Sequence, residues 1–310
     1  MELSLFDLHC DTPYEMFRTG QALSVNQLAI SLQKAQFFHC YKQVMAFWCP
    51  KHLSDEEGWQ HFEAMYRNFL SDPAFAKGQA QILHTDPVKD PENRLFIFAL
   101  EDLRILAGDI DRIDRLFECG IWIVTPLWAN ESCIGGAHNT DKGLTHFGKS
   151  ALTHALNRGM LLDISHASVR SAEEIIALSR KFERPVLATH SNAYSVCPAS
   201  RNLRDSQILD VIRSKGLIGI NLHKPFLRSD IKPTVEDLFA HIDYFLSMGA
   251  TDNLCFGADL DGCDPLEECS TIDMFSNLAE QMLQKNYPEQ LIKAIFFENA
   301  DRFAKTYLSS

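Results

Sequence analysis

Met160-Leu-Leu-Asp163-Ile-Ser-His166, a helical pattern over Val169–Lys181, and then Pro185-Val-Leu-Ala-Thr189-His190 make one strand–helix–strand unit. Each apolar run is short and nearly continuous, and each is closed by a histidine. A run without polar alternation is how a parallel strand buried on both faces reads. The pattern continues in both directions. Similar runs lie at Leu3–His9, Gln43–Trp48, Leu95–Leu100, Ile121–Leu127, Met160–Ile164, Pro185–Thr189, Leu217–Leu222 and Asn253–Gly257, eight in all.

Helical patterns occupy most of the gaps. Asp55–Leu70 places Trp59, Phe62, Tyr66 and Phe69 at helical spacing. Leu103–Glu118, Gly148–Arg158, Asp205–Ser214 and Val235–Met248 read the same way, and Gly159, Gly216 and Gly249 act as stops. Further helices are expected at Thr271–Gln284 and Pro288–Ala304, and a long loop at Pro73–Asn93. Strand alternating with helix eight times predicts an α/β fold of the closed (β/α)8 TIM-barrel kind, with residues 1–310 as a single domain. An open doubly wound sheet is the alternative, but no glycine-rich phosphate loop follows the first run.

The composition narrows the function. A net charge of −12 argues against nucleic acid as a partner, because phosphate binding needs a basic surface. Nine scattered cysteines without a CxxC pair indicate reduced thiols, a cytoplasmic location and no zinc site built from four cysteines. No targeting segment and no long apolar stretch is visible, so no membrane association is expected.

The candidate chemistry lies at the ends of the runs. The first carries Asp7-Leu-His9-Cys-Asp11-Thr-Pro13, the third ends at Glu101, the fifth at His166, the sixth at His190 and the eighth at Asp259. Residues i and i+2 of a strand share a face, so His9 and Asp11 are expected together and Cys10 is expected to face away. Alone, any of these residues could be a core histidine or a helix N-cap. A barrel gathers all its strand ends into one ring, however, and five such ends in register form a metal site. His39, His52, His61, His84, His154 and His241 fall on helices or loops; His138 and His223 could reach the pocket. The polar loop Asn130–Thr145 is expected over the same face. No GxSxG elbow or P-loop is present.

The ordered blocks Asp7–Pro13, Gly143–Gly148, Asp163–Ser168, Thr189–Cys197, Ser200–Asn202 and Phe256–Gly262 resemble the renal or membrane dipeptidases, a zinc dipeptidase family, over nearly the whole chain. The resemblance implies a metal-dependent-hydrolase barrel with two Zn2+ ions. His9 and Asp11 would bind one ion, His166 and His190 the other, and Glu101 both. Asp259 would be the catalytic carboxylate, and Arg201 would meet the substrate carboxylate, a task its planar fork suits. It further implies a small dipeptide substrate, with C-terminal D-residues included among those to test, and attack by a hydroxide bridging the metals. A homodimer is left open. The same donors accept Mn2+, Co2+ or Fe2+.

This chain departs from the family pattern near the substrate. Asp102 and Leu103 stand where two glycines are usual. Trp128 stands where mammalian members carry a carbonyl-polarising histidine, and His223 and Phe226 occupy two further aromatic positions. Trp128 and His223 are therefore the expected substrate contacts that differ. Two alternatives share these residues: an amidohydrolase acting on N-acyl amino acids or lactams, and a non-catalytic protein that binds metal or a small molecule.

Overall fold

The structure is a computed structural model describing residues 2–83 and 94–308. The closed parallel barrel expected from the alternation is present. Its strands are β1 (Leu5–Cys10), β2 (Tyr41–Trp48), β3 (Leu95–Glu101), β4 (Ile121–Thr125), β5 (Leu161–Asp163), β6 (Val186–Leu187), β7 (Ile218–Ile220) and β8 (Leu254–Phe256). They lie in the order β6-β5-β4-β3-β2-β1-β8-β7, all parallel. The ring closes between β6 and β7, where Ala188 N–H donates to Leu217 O at 2.9 Å and Gly219 N–H to Ala188 O at 2.8 Å. This wrapped order excludes the open doubly wound sheet.

Closure there depends on glycine. A Cβ on Gly219 or Gly257 would lie 1.9 or 1.7 Å from Thr189 O. Only a bare backbone lets β7 and β8 approach the segment that carries His190.

Two apolar layers hold the barrel. Phe47 and Phe98, on the outer face of β2 and β3, pack against Phe62 and Phe69 of the helix Asp55–Leu70. Val44, Ala46, Ile97, Ala99, Ile123, Leu161, Leu187 and Leu217 form a second buried cluster inside the ring. Ala300 and Phe303, from the helix Asn299–Tyr307, join that cluster. There Lys42 of β2 pairs with Asp301 at 2.5 Å. The opposite, C-terminal ends of the strands remain open for a site.

Several boundaries differ from the expectation. The run Leu103–Glu118 is a 3-10 turn at Leu103–Leu106 and a helix at Arg112–Glu118. The break falls at Ala107 and Gly108, both with positive φ (50° and 81°). A helix at Thr12–Thr19 follows β1 directly; Pro13 sits in its first turn, where the missing N–H costs nothing. Pro73–Asn93 is not wholly loop: it holds a helix at Pro73–Ala76 and a short strand at Gln81–Ile82 paired with β3. The rest of that segment, His84 included, lies outside the described residues. The last helical stretch contains a π-turn at Ala294–Glu298. Among the described residues no helix is long and apolar enough to cross a membrane. All nine cysteines are free of disulfides.

Candidate metal centre and substrate pocket

The site begins with a defect in β1. Asp7 pairs with Gln43 and Cys10 with Met45, so β1 carries one residue more than β2 across this interval. Such a bulge re-aims side chains. Cys10 faces away from the site, its Sγ against Val44 O and Met45 Sδ. His9 turns into the ring, and its imidazole stacks on that of His190 with centroids 3.7 Å apart. Asp11 lies just past the strand rather than on it. Its N–H donates to Leu260 O, while Asp259 N–H donates to His9 O, so the chains leaving β1 and β8 are tied together. Gly262 permits this: a Cβ there would strike Asp11 Oδ2 at 1.9 Å.

Glu101 is the last residue of β3 and shares the inward face of Ile97 and Ala99. Its Oε1 lies 2.9 Å from His166 Nε2 and 3.4 Å from His190 Nε2, and its Oε2 lies 3.8 Å from His9 Nε2. His9 Nε2 is also 3.6 Å from Asp11 Oδ2 and 3.9 Å from Asp259 Oδ1. His166 and Asp259 are not on strands. Both sit in turns at positive φ (66° and 62°), which swings their side chains over the ring. All six residues therefore meet around one centre.

The proton inventory decides what the centre can hold. His166 Nδ1 faces Trp128 O at 2.9 Å; a carbonyl only accepts, so the proton is on Nδ1. Four groups donate to Asp163: the hydroxyls of Thr125 and Thr189 and the N–H groups of Ser165 and Thr189. With its hydrogen committed to Asp163, Thr189 Oγ1 accepts from His190 Nδ1 at 2.8 Å. Both imidazoles thus turn an Nε2 lone pair inward, and these two nitrogens are only 2.9 Å apart beside the Glu101 carboxylate. Lone pairs this close repel unless a proton or a metal ion lies among them. Burial, reinforced by neighbouring cationic groups, pulls the pKa of both histidines well below the ordinary value, which keeps them neutral as ligands must be.

The other half of the centre is equally short of positive charge. Burial opposes protonation of His9, but Glu101, Asp11 and Asp259 outweigh it and push its pKa up to about 10. Both ring nitrogens of His9, Asp11 Oδ1 and Glu101 Oε1 are buried without a hydrogen-bond partner. Donor atoms of His9, Glu101 and His190 lie within 4.8 Å of one another, as do those of His9, Asp11 and Asp259. Mixed imidazole and carboxylate donors suit zinc, and this donor set fits divalent metal.

The Asp163–Thr189–His190 chain is not legible in the sequence, although Asp163 opens the Asp163–Ser168 block. Partners that orient a metal-binding imidazole usually matter 10–100-fold in metal affinity. Thr189→Val is expected to weaken metal retention by about that factor, read by competition with a chromogenic chelator. Unchanged competition would show that the ring keeps its tautomer without this bond.

A cavity of about 450 Å³ opens over the cluster. Arg201, Trp128 and His223 all line it. Arg201 is buried, with its terminal nitrogens donating to Ser191 Oγ and His190 O, while Nε has no partner. His223 lies 4.6 Å from the Phe226 ring, and its Nδ1 already accepts from Asp264 N–H. Asn221 donates to Asp259 Oδ2 at 3.0 Å and fixes that carboxylate; nothing in a lone asparagine inside the seventh run signals this. His138 does reach the cavity and bonds Ser200 Oγ at 2.9 Å, and burial lowers its pKa to about 4. It is the one residue of Asn130–Thr145 that lines the cavity among the described residues; the rest of the loop packs beside it.

An uncharacterised protein from the PQQ-III 3′ region of Acinetobacter calcoaceticus is 30% identical over 162 residues, spanning 48% of this chain and 50% of that protein. A solved structure of dipeptidase AC, a metallo peptidase of family M19, superposes with a TM-score of 0.90 at 22% identity over the full length of both chains. A metallo peptidase from Rhodobacter sphaeroides, liganded with a phosphinate mimic of the dipeptide L-Ala-D-Ala, gives a TM-score of 0.88 at 21% identity, covering 99% of this chain and 100% of that one. These two likenesses concern the fold. The model of the membrane dipeptidases, peptidase family M19, matches residues 1–307, and the chain belongs to that family.

Proposed function

We propose that this protein is a binuclear zinc dipeptidase that hydrolyses the peptide bond of small dipeptides, including those with a C-terminal D-residue. The observation that carries the reading is the pair of neutral imidazoles, His166 and His190, with facing Nε2 lone pairs 2.9 Å apart beside Glu101. His9, Asp11 and Glu101 would hold one ion, and His166, His190 and Glu101 the other. When bound, such ions supply Lewis acidity and bring the pKa of water down towards about 7. Asp259 takes the proton from the attacking water and returns it to the leaving amine. Burial raises its pKa to about 6, and Asn221 holds one of its oxygens while the other faces the cluster. Arg201 holds the substrate's terminal carboxylate and so limits substrate length. The D-residue finds support in the dipeptide mimic bound by the Rhodobacter relative.

Hydrolysis of an L-L and L-D dipeptide library, with metal content measured in parallel, tests the reading. Cleavage with about two metal ions per chain is expected. Full metal loading with no dipeptide cleaved would abandon it, and N-acyl amino acids and lactams would be screened next. Arg201→Ala is expected to cost free-carboxylate dipeptides about 2–5 kcal/mol, roughly 30-fold or more in kcat/KM. Dipeptide amides should lose far less. Equal losses would remove the carboxylate clamp.

A further inference from the structure

The mouth of the cavity is chemically lopsided. Arg201 follows β6, and His223 and Phe226 follow β7, so the cavity's guanidinium lies on that arc. The arc from β1 to β4 adds three large rings to the carboxylates of Asp11, Glu15 and Glu101. Tyr14 comes from the helix after β1, Trp48 ends β2, and Trp128 follows β4. Their rings form a continuous wall: Tyr14 and Trp48 meet edge to face at 5.0 Å, and Trp48 and Trp128 lie 5.0 Å apart. All three line the cavity and are partly exposed to it. Trp48 Nε1 is covered and unpartnered, so the indole offers the cavity carbon surface rather than its N–H. Glu15, also on this arc, is bound by Arg18 at 2.5 and 3.0 Å.

We infer that the Tyr14–Trp48–Trp128 wall receives the side chain of the substrate's amino-terminal residue and selects large apolar or aromatic side chains there. The inference rests on the dipeptidase reading. With the carboxylate on Arg201 and the scissile bond over the Glu101–His166–His190 cluster, the chain runs away from the β6–β7 arc. Its amino-terminal residue then comes to the opposite arc. Three partly exposed rings in a cavity gain by covering one another's faces with an apolar guest, whereas a small or charged side chain leaves them wet or loses its own hydration.

Two dipeptide series test this with the metal-loaded protein. In X-Ala, with X as Gly, Ala, Leu, Phe or Trp, kcat/KM is expected to rise about tenfold or more from Ala to Phe. In Ala-X the change should stay within about threefold, below what a fitted apolar pocket delivers. Trp48→Ala and Trp128→Ala should each compress the Phe/Ala ratio of the first series towards one. The ratio is the readout, so a general loss of rate does not mimic the effect. A phosphinate analogue of Phe-Ala should also change the tryptophan emission, and lose most of that change in Trp128→Ala. A flat X-Ala series, a rise confined to Ala-X, or an unaltered ratio in both variants overturns the wall's role while leaving the dipeptidase reading intact. No cleavage in either series removes the dipeptidase reading, and the wall's assignment falls with it.

Discussion

Asp259→Asn is expected to retain its metal while kcat falls by about 10²–10⁴-fold, the range for loss of a positioned general acid–base. The substitution is nearly isosteric. Asn221 can still bond the side-chain oxygen, and the turn at φ 62° tolerates asparagine as well as aspartate. The variant loses proton capacity and little else. The measurement is steady-state hydrolysis of the best dipeptide, beside metal content by elemental analysis. Near-wild-type turnover would mean that another group moves the proton, with His138 the first to examine. A large loss of metal would instead mark Asp259 as a ligand, which its 3.9 Å approach to His9 Nε2 makes a real alternative.

Glu101→Gln is expected to empty the centre. Among the described residues Glu101 is the one carboxylate within 4 Å of all three histidines, with 2.9 Å to His166, 3.4 Å to His190 and 3.8 Å to His9. An amide keeps the shape but removes a negative charge in a buried setting, where an unpaired ion is costly. Metal per chain after dialysis should fall from about two to below one, with activity lost in step. Retention of both ions would show that Asp11 and the imidazoles suffice. A second readout comes from His9, whose pKa of about 10 means it carries a proton before loading. Metal must displace that proton, so wild-type affinity should strengthen as pH rises towards 10 and weaken in acid. In Glu101→Gln that dependence should flatten, because burial then pulls the His9 pKa down with less opposition.

The strand pattern was readable because it is a local record of burial. β2 and β3 pair at every position from Lys42–Leu95 through Trp48–Glu101, and their apolar runs stand out in the chain. Glu101 ends such a run, so its place in the ring followed from its position alone. The later strands are shorter than their runs. β6 is only Val186–Leu187, because Thr189 N–H turns to Asp163 and the ladder stops. The helix Thr12–Thr19 was hidden behind Pro13, which signals a strand end and a helix start equally well.

The approximate ring of candidate site residues was present in the order of the chain: His9, Asp11, Glu101, His166, His190 and Asp259 each fall at or just after an apolar run. Their direction was not. It depends on the extra residue in β1, on two positive-φ turns, and on backbone bonds joining Asp11 to Leu260 and Asp259 to His9. The same is true of the Thr189 bond that orients His190 and of the wall made by Tyr14, Trp48 and Trp128. Apolar periodicity is a property of neighbours along the chain and survives in one dimension. The aim of a side chain past a strand end is fixed by contacts between segments up to about 250 residues apart, such as Ala258 N–H on Asp7, and exists only once the barrel has closed.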